Sequence, residues 1–270
     1  MSQETPAAPT TTSPLSGVRN FRDVGGLPTT DGRRIRAGRL FRSGHLAHAE
    51  ADDVAFLSGL GLSTVFDFRD DADIAMDGSD VALPGVRHVA MPLSDPASGV
   101  EFWRMVRHGD ITVLREMLGD GRAEARMMGA YRDIIVERTA EHSLLLRTLA
   151  EADGLPALLH CAAGKDRAGL SVMVILLALG VEPDAIETDY LASNGEYGRY
   201  RLRRGDGRPP LDAEVVELLN PLFEARLEYL RHALATITEV WGGTDRYLTE
   251  GLRCDAQRRE RLRGLLLDGV

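Results

Sequence analysis

The segment that most constrains the fold of this chain is a glycine-containing loop that joins a predicted strand to a predicted helix. The loop has the sequence HCAAGKDR over residues 160–167. The apolar run at 155–159 predicts a short buried strand, and the apolar run at 170–179, which ends at Gly180, predicts a buried helix. A buried strand that turns directly into a buried helix is typical of an α/β domain.

Strands and helices are predicted to alternate along the rest of the chain as well. The expected elements are a strand end at 39–42, a helix at 51–60, strands at 63–68 and 86–91, a hairpin turn at Asp31-Gly32, and helical segments at 131–152, 212–240 and 255–267. Between these strands and the later helices, residues 100–136 contain two helix-like stretches interrupted by glycines. This interruption predicts a helical insertion that acts as a mobile cap.

A loop at the N-terminus of a helix is suited to bind an anion. Free backbone N–H groups and the positive end of the helix dipole both favour negative charge there, and they favour the thiolate form of a cysteine. Arg167 follows Cys161 by six positions and is expected in the first helical turn. Its planar guanidinium can hold two oxygens of one phosphate. The residue types therefore predict a phosphate site in which Cys161 attacks phosphorus and Arg167 binds the oxygens.

The same loop contains the only lysine of the chain, Lys165, whereas every other basic residue is arginine. A sequence that otherwise avoids lysine suggests that arginine would not serve at this position. An ammonium is a compact point charge without a bulky fork and suits a crowded phosphate site. The alternative is that Lys165 is an ordinary turn residue.

Around this loop the chain resembles the cysteine-dependent protein tyrosine phosphatases, and within them the bacterial tyrosine/lipid (triple-specificity) branch with the signature H-C-x-A-G-K-D-R. Further segments match that family in order between about residues 17 and 200. They are Asn20-Phe21-Arg22-Asp23-Val24-Gly25-Gly26, Leu40-Phe41-Arg42-Ser43, Asp67-Phe68-Arg69, Met91-Pro92-Leu93-Ser94-Asp95, and Asp189-Tyr190-Leu191 with Asn194.

The resemblance implies a fold and a reaction. The fold would be a mostly parallel central sheet flanked by helices, with a helical lid at about 100–137. The reaction would be hydrolysis of phosphomonoesters through a phosphocysteine intermediate, with no metal or organic cofactor. The expected partners are phosphotyrosine proteins, and also phosphoserine or phosphothreonine proteins and phosphoinositides.

Hydrolysis of this kind requires a general acid that protonates the leaving group. Asp95 follows the predicted strand at 86–91, at the carboxyl end where open α/β sheets place their ligands, and it matches the family's acid-loop position. Asp166 is the alternative acid because it lies inside the phosphate loop itself.

The remaining residues of the predicted site bind the substrate or support the loop. His160 is expected to donate a hydrogen bond that fixes the loop. The substrate-binding residues are expected to be His160, Ala162, Ala163, Gly164 and Lys165. The supporting residues, expected to form a buried ring of ion pairs beside the site, are Arg22, Asp23, Arg42, Asp67 and Arg69.

Composition limits the other functions open to the chain. A formal net charge of −9 and a pI near 5.3 argue against nonspecific nucleic-acid binding. The two cysteines, Cys161 and Cys254, form neither a disulfide framework nor a paired-cysteine metal motif. A reducing cytoplasm is therefore the expected setting.

The termini and the apolar runs predict a single domain. Residues 1–16 are rich in Ser, Thr, Pro and Ala and predict a disordered tail rather than a signal peptide. No apolar run approaches the roughly 18–20 residues that a transmembrane helix requires. Residues 17–270 are expected to form one phosphatase domain.

Two other interpretations of the loop remain open. A rhodanese-like sulfurtransferase also uses a cysteine loop, although the full spacing to Arg167 favours a tetrahedral phosphoryl group. A catalytically weak phosphate-binding module is the second, because Ala168 stands where the family usually has Ser or Thr. A nucleotide-binding P-loop is excluded, because Leu159 and Asp166 stand where it requires Gly and Ser or Thr.

Ala168 generates a kinetic prediction. In the family the hydroxyl at this position helps the cysteine leave when water hydrolyses the phosphoenzyme, so hydrolysis of phosphocysteine should limit turnover here. Rapid mixing with an aryl phosphate should release about one equivalent of phenol per site before a slower steady state. Ala168→Thr should raise the steady-state rate and leave the burst rate nearly unchanged. No burst, together with no gain in Ala168→Thr, would show that Ala168 is catalytically neutral.

Overall fold

A fully buried strand lies at the centre of the structure and leads into the loop described above. The computed structural model describes residues 14–94, 102, 105, 110–195 and 213–269. The strands are β1 Arg22–Asp23, β2 Leu40–Ser43, β3 Thr64–Asp67, β4 Arg87–Ala90 and β5 Ala157–His160. They form a five-stranded sheet of order β1-β2-β5-β3-β4.

The pairing of the strands brings their carboxyl ends to one edge of the sheet. β1 pairs with β2 antiparallel, and the pairs β2–β5, β5–β3 and β3–β4 are parallel. In this register His160 at the end of β5 lies beside Ser43 of β2 and Asp67 of β3. The predicted mostly parallel sheet is confirmed, and the loop after β5 lies between the ends of its two neighbours.

Helices cover both faces of this sheet. They are α1 Ala51–Gly59, α2 Asp71–Asp77, α3 Ile111–Leu118, α4 Arg122–Glu137, α5 Thr139–Leu149, α6 Arg167–Leu179, α7 Pro183–Leu191, α8 Ala213–Phe223, α9 Leu227–Trp241 and α10 Ala256–Leu266. Nearly every residue of α6 is buried. A helix that is apolar on all sides must be enclosed by other elements, as the sequence predicts for this segment.

Side chains of the central strand alternate between two hydrophobic cores. Leu159 packs in the core on the α6 side, whereas Leu158 packs in the core that includes Leu57 of α1. Successive residues of a strand point to opposite faces, so both faces of the sheet are buried. A third cluster joins α3, the start of α4, α8 and Phe102.

Two of the long predicted helical segments are each divided in the structure. The segment at 131–152 breaks at Arg138, which has non-helical φ and ψ of −109° and 31° and separates α4 from α5. The segment at 212–240 breaks after Phe223, where the Ala225 backbone binds the Asn194 side chain through two hydrogen bonds of 2.7 Å. Hydrophobic periodicity continues across both breaks, so it does not reveal them.

The predicted hairpin is present, and most other boundaries agree within a residue or two. The amide of Thr29 donates to the carbonyl of Arg33 at 2.9 Å around the Asp31-Gly32 turn. Part of the predicted lid corresponds to α3 and α4, while Trp103 lies outside the described residues. Across the part of the chain that the structure describes, no helix is long and apolar enough to cross a membrane.

One buried histidine makes stability depend on pH. His142 of α5 is fully buried, and its Nε2 lies 3.3 Å from Oγ of Ser171 on α6. Burial lowers the pKa of His142 from 6.5 to about 4. The unfolded chain therefore binds a proton on this ring as the pH falls below about 6.5, whereas the folded chain stays neutral there until about pH 4. The stabilisation that neutral His142 contributes is therefore fully present above about pH 6.5 and is lost as the pH falls toward about 4.

Because of this one histidine, we expect the free energy of unfolding to be about 2 kcal/mol lower at pH 5 than at pH 7. His142→Gln should flatten the pH dependence over this range, as measured by urea unfolding at several pH values. His88→Gln, on exposed residue 88 of β4, is the matched control and should keep the wild-type slope. An unchanged slope in His142→Gln would contradict the assignment.

Candidate active site

The loop after β5 has its carbonyl groups bound from outside. Nδ2 of Asn20 donates to the carbonyl of Gly164 at 2.9 Å and to that of Ala163 at 3.3 Å. Nη2 of Arg42 donates to the carbonyl of Gly164 at 2.7 Å and to that of Lys165 at 3.2 Å. Two side chains from the N-terminal third of the chain therefore fix the orientation of three consecutive peptide groups.

Fixing the carbonyls also fixes the amides. The carbonyl of Ala162 accepts from the amide of His45 at 3.3 Å, which extends the row of bound carbonyls to residues 162–165. Among the described hydrogen bonds, none has an amide of residues 162–166 as its donor. Because C=O and N–H point in opposite directions across a trans peptide, the amides of residues 164–166 face away from Asn20 and Arg42, and the amide of Ala163 faces away from that of His45. Such a row of free N–H groups is an anion-binding concavity.

Gly164 allows the loop to approach β2. Its φ is +71°, and a Cβ at this position would lie 2.3 Å from the carbonyl oxygen of Ser43. Any side chain would therefore clash with the backbone of the neighbouring strand, in addition to the strain of the left-handed conformation. The glycine predicted in the turn is required for this contact.

A buried ion-pair network holds Arg42 in place. Oδ2 of Asp189 lies 2.5 Å from Nη1 of Arg42, and its Oδ1 lies 2.8 Å from Nε of Arg22. Burial alone would raise the pKa of Asp189, but the charges of Arg42 and Arg22 outweigh it and lower the pKa. Asp189 therefore stays ionised and orients both guanidinium groups.

A second network lies at the end of β5. Nε2 of His160 lies 3.0 Å from a carboxylate oxygen of Asp80, and Nη2 of Arg69 lies 2.9 Å from Asp80 and 2.8 Å from Asp67. Burial alone would raise the pKa of Asp80, but His160 and Arg69 outweigh it and lower the pKa. The imidazole of His160 thus lies against the Asp80 carboxylate, and the hydrogen bond by which it was expected to fix the loop stays a prediction.

The predicted single ring of supporting residues is therefore wrong in its connectivity. Arg22 and Arg42 meet at Asp189, while Asp67 and Arg69 meet at Asp80. Asp23 belongs to neither network, and its carboxylate accepts from the amides of Gly25 and Gly38 in an exposed turn. β1 turns the side chain of Asp23 the opposite way from that of Arg22, because neighbouring residues of a strand face opposite sides.

Asp67, Asp80 and His160 also have the residue types of a metal site, with potential ligand atoms within 4.8 Å of one another. The guanidinium of Arg69 already contacts both carboxylates and supplies the positive charge between them. Within the described ranges this is the single cluster of metal-ligand type.

Arg167 begins α6 and is held by a carboxylate that the sequence did not single out. Both Nη atoms donate to Asp73 of α2, and Nη1 donates to Oγ of Ser94 at 2.9 Å. Burial opposes the charge of Arg167, but Asp73 and the nearby Cys161 outweigh it and raise the pKa. Arg167 is therefore permanently cationic beside the cysteine. Asp95 lies outside the described residues, one position after Ser94.

Lys165 does not have a free ammonium for a phosphate. Its Nζ donates to the carbonyls of Leu222 and Glu224, each at 3.1 Å, and lies 2.8 Å from Oδ1 of Asp166. An ammonium has three N–H donors, and these three oxygens use all of them. Contrary to the expected substrate contact, Lys165 fastens the end of α8 to the phosphate loop.

Asp166 and Cys161 both line the space in front of the loop. Cys161 is 2% exposed and lines a cavity of about 80 Å³ together with Ala162, Ala163, Asp166 and Arg167. Asp166 and Arg167 also line an adjoining cavity of about 550 Å³ beside α4.

Ala168 faces the core and is fully buried. Ala168→Ser adds a single oxygen, so serine is the hydroxyl residue that disturbs the packing at this buried position least.

The larger cavity combines apolar and charged side chains. Its apolar lining includes Leu93, Phe102, Met127, Ala130, Ile134 and Leu222. Its charged lining includes Asp70, Asp73, Arg126, Asp133, Glu137, Arg138, Asp166 and Arg167. Phe102 and Met127 belong to the segment predicted as the lid.

An α/β sheet whose central strand leads into a cysteine-to-arginine loop, with bound carbonyls and free amides, has the architecture of a tyrosine phosphatase. The model of the tyrosine phosphatase family matches residues 13–268. The chain is 34% identical to a protein of Cupriavidus necator named as a tyrosine-protein phosphatase, over 93% of this chain and 87% of that protein. It is 31% identical to the triple specificity protein phosphatase PtpB of Mycobacterium tuberculosis, over 94% of this chain and 98% of that protein. The chain belongs to the tyrosine phosphatase family and is an enzyme of that kind.

Proposed function

We propose that this enzyme hydrolyses phosphomonoesters through a phosphocysteine intermediate on Cys161, as a single phosphatase domain of the triple-specificity branch. The observation that carries the proposal is the convergence of three features on one cavity. Cys161 and Arg167 line it together, and the amides of residues 164–166 face away from the side chains that bind the carbonyls of the same peptide groups. A phosphate in this cavity would meet a nucleophile, a fixed cation and a row of N–H donors.

The reaction follows from this arrangement in two steps. The Cys161 thiolate attacks phosphorus, the S–P bond forms, and the bond from phosphorus to the leaving oxygen breaks as that oxygen takes a proton. Water then attacks phosphorus, the S–P bond breaks, and phosphate leaves with the thiolate restored. In both steps charge develops on the equatorial oxygens, where Arg167 and the loop amides stabilise it without reorganisation.

Two carboxyl groups are candidates for the proton donor. Asp166 lines the cavity beside Cys161, and its Oδ1 is already bound by Tyr131 and Lys165. Asp95 is supported by its neighbour Ser94, whose hydroxyl oxygen accepts from Arg167 at 2.9 Å. Asp95 lies outside the described residues, so kinetics must decide between the two candidates.

The cavity supports phosphotyrosine proteins as the principal substrates. A volume of about 550 Å³ with an apolar side formed by Met127 and Ile134 is large enough for an aromatic ring and flanking residues. The name of the Mycobacterium tuberculosis relative, a triple specificity phosphatase, supports phosphoserine or phosphothreonine proteins in addition. The same relative is the support for phosphoinositides as lipid substrates.

The two cysteines offer a matched test of the nucleophile. Cys161→Ser should abolish hydrolysis of an aryl phosphate while vanadate still binds, because the loop amides and Arg167 remain. Cys254→Ser is the control, since Cys254 is fully buried in the core and burial raises its pKa. Steady-state assays and vanadate titration provide the measurement.

Turnover retained in Cys161→Ser would overturn the cysteine mechanism. Formation of a persulfide on Cys161 from thiosulfate, without phosphate release from any phosphomonoester, would instead identify a sulfurtransferase. Vanadate binding by the wild-type protein without hydrolysis would identify a phosphate-binding module.

The proton donor can be assigned from leaving-group dependence. Replacing the true acid by Asn should slow substrates with poor leaving groups by about 10²–10⁴-fold and spare an activated aryl phosphate. Asp95→Asn and Asp166→Asn are to be compared on a series of aryl and alkyl phosphates. A loss that is equal across the series in Asp95→Asn would argue against Asp95, and the selective loss in Asp166→Asn would assign the role to Asp166.

A further inference from the structure

Two buried tyrosines form a chain of hydrogen bonds that ends on Asp166. The hydroxyl of Tyr131, in α4, donates to Oδ1 of Asp166 at 2.6 Å. The hydroxyl of Tyr190, in α7, lies 2.7 Å from that of Tyr131. Tyr131 is fully buried and Tyr190 is 1% exposed. The chain therefore connects the phosphate loop to two helices without contact with solvent.

The direction of the chain follows from counting protons. A tyrosine hydroxyl has one proton to donate and can accept on its oxygen. Because Tyr131 donates its proton to Asp166, the bond between the two hydroxyls must be donated by Tyr190 and accepted by Tyr131. Burial, with the charge of Asp166, raises the pKa of both tyrosines, so both keep the protons that the chain requires.

All the donors found on the carboxylate of Asp166 bind one of its two oxygens. Oδ1 accepts from Tyr131 and lies 2.8 Å from Nζ of Lys165. Among the described residues no donor is found on Oδ2, and the side chain is 27% exposed where it lines the cavity beside Cys161. The carboxylate is thus fixed through one oxygen, and its other oxygen has no donor among the described residues.

We propose that Tyr131, supported by Tyr190, is a positioning residue that holds Asp166 with its free oxygen directed at the substrate. This inference rests on the proposed function, in which Asp166 is one of the two candidate proton donors at the phosphate site. Tyr131 acts through Asp166: although the residue lies in the wall of the larger cavity, it has no exposed area, and its hydroxyl contacts only Asp166 and Tyr190 among the described groups.

A neighbouring tyrosine provides a matched control. Tyr229 is fully buried in the same core, and its ring packs edge-on against that of Tyr131 at 5.8 Å. Its hydroxyl donates to the carbonyl of Pro221 at 3.1 Å and does not bind Asp166. Tyr229→Phe therefore removes the same atom from the same environment without affecting the proposed chain.

The test is a double-mutant cycle between residues 131 and 166. Tyr131→Phe should lower kcat about 10-fold, as expected for one lost hydrogen bond to a charged group, while KM changes by less than about 2-fold. In the Asp166→Ala background, Tyr131→Phe should have no further effect on kcat, because the group it positions is gone. Tyr190→Phe should lower kcat less than Tyr131→Phe, and Tyr229→Phe should keep the wild-type kcat.

The outcomes separate this inference from the proposed function. If Tyr131→Phe lowers kcat equally with and without the Asp166 side chain, Tyr131 is merely structural and the inference is overturned. Wild-type kcat in either Tyr131→Phe or Asp166→Ala overturns it as well. Neither result touches the cysteine mechanism, which fails only if Cys161→Ser retains turnover. Melting temperatures of Tyr131→Phe and Tyr229→Phe report any difference in folding between the two variants.

Discussion

The contact on which the site depends is the buried guanidinium of Arg42 between Asp189 and the phosphate loop. It neutralises one carboxylate and donates to two loop carbonyls, so a single side chain fixes both the charge of the network and the orientation of the peptides. Removing one partner of such a buried ion pair is strongly destabilising, because the other charge then stays buried without compensation. The free amides that make the loop an anion site exist because Arg42 and Asn20 hold the opposite ends of the same peptide groups.

Of the two basic side chains in the phosphate loop and the first turn of α6, only Arg167 has a donor left for the substrate. Lys165 is fully committed to Leu222, Glu224 and Asp166. Arg167 lines the cavity with Cys161, and Asp73 orients its two Nη atoms, whereas its Nε makes none of the described hydrogen bonds. An acidic protein of net charge −9 can still bind a phosphate at this loop, because binding depends on the groups that face the anion rather than on the total charge.

The sequence predicted the elements that depend on short-range patterns. It placed the strand, loop and helix from 155 to 180, because an apolar run, a glycine turn and a second apolar run are local signals. It did not find Asp73 or Asp80, and it grouped Arg22 with Arg69. Both acids lie in or just after α2, with no motif around them, and their partners come from distant segments. It also joined α4 to α5, since periodicity does not register a break of one residue.

What the sequence determined by itself is the chemistry available: a cysteine, an arginine six positions later, and a glycine turn at the start of a buried helix. Spacing along the chain fixes those relations because all three belong to one strand–loop–helix unit. The tertiary structure alone decided which way the loop peptides face, which carboxylate holds Arg167, and why Lys165 binds α8 instead of phosphate. These relations join residues far apart in the chain, and only the packing of the sheet and helices brings them within hydrogen-bond distance.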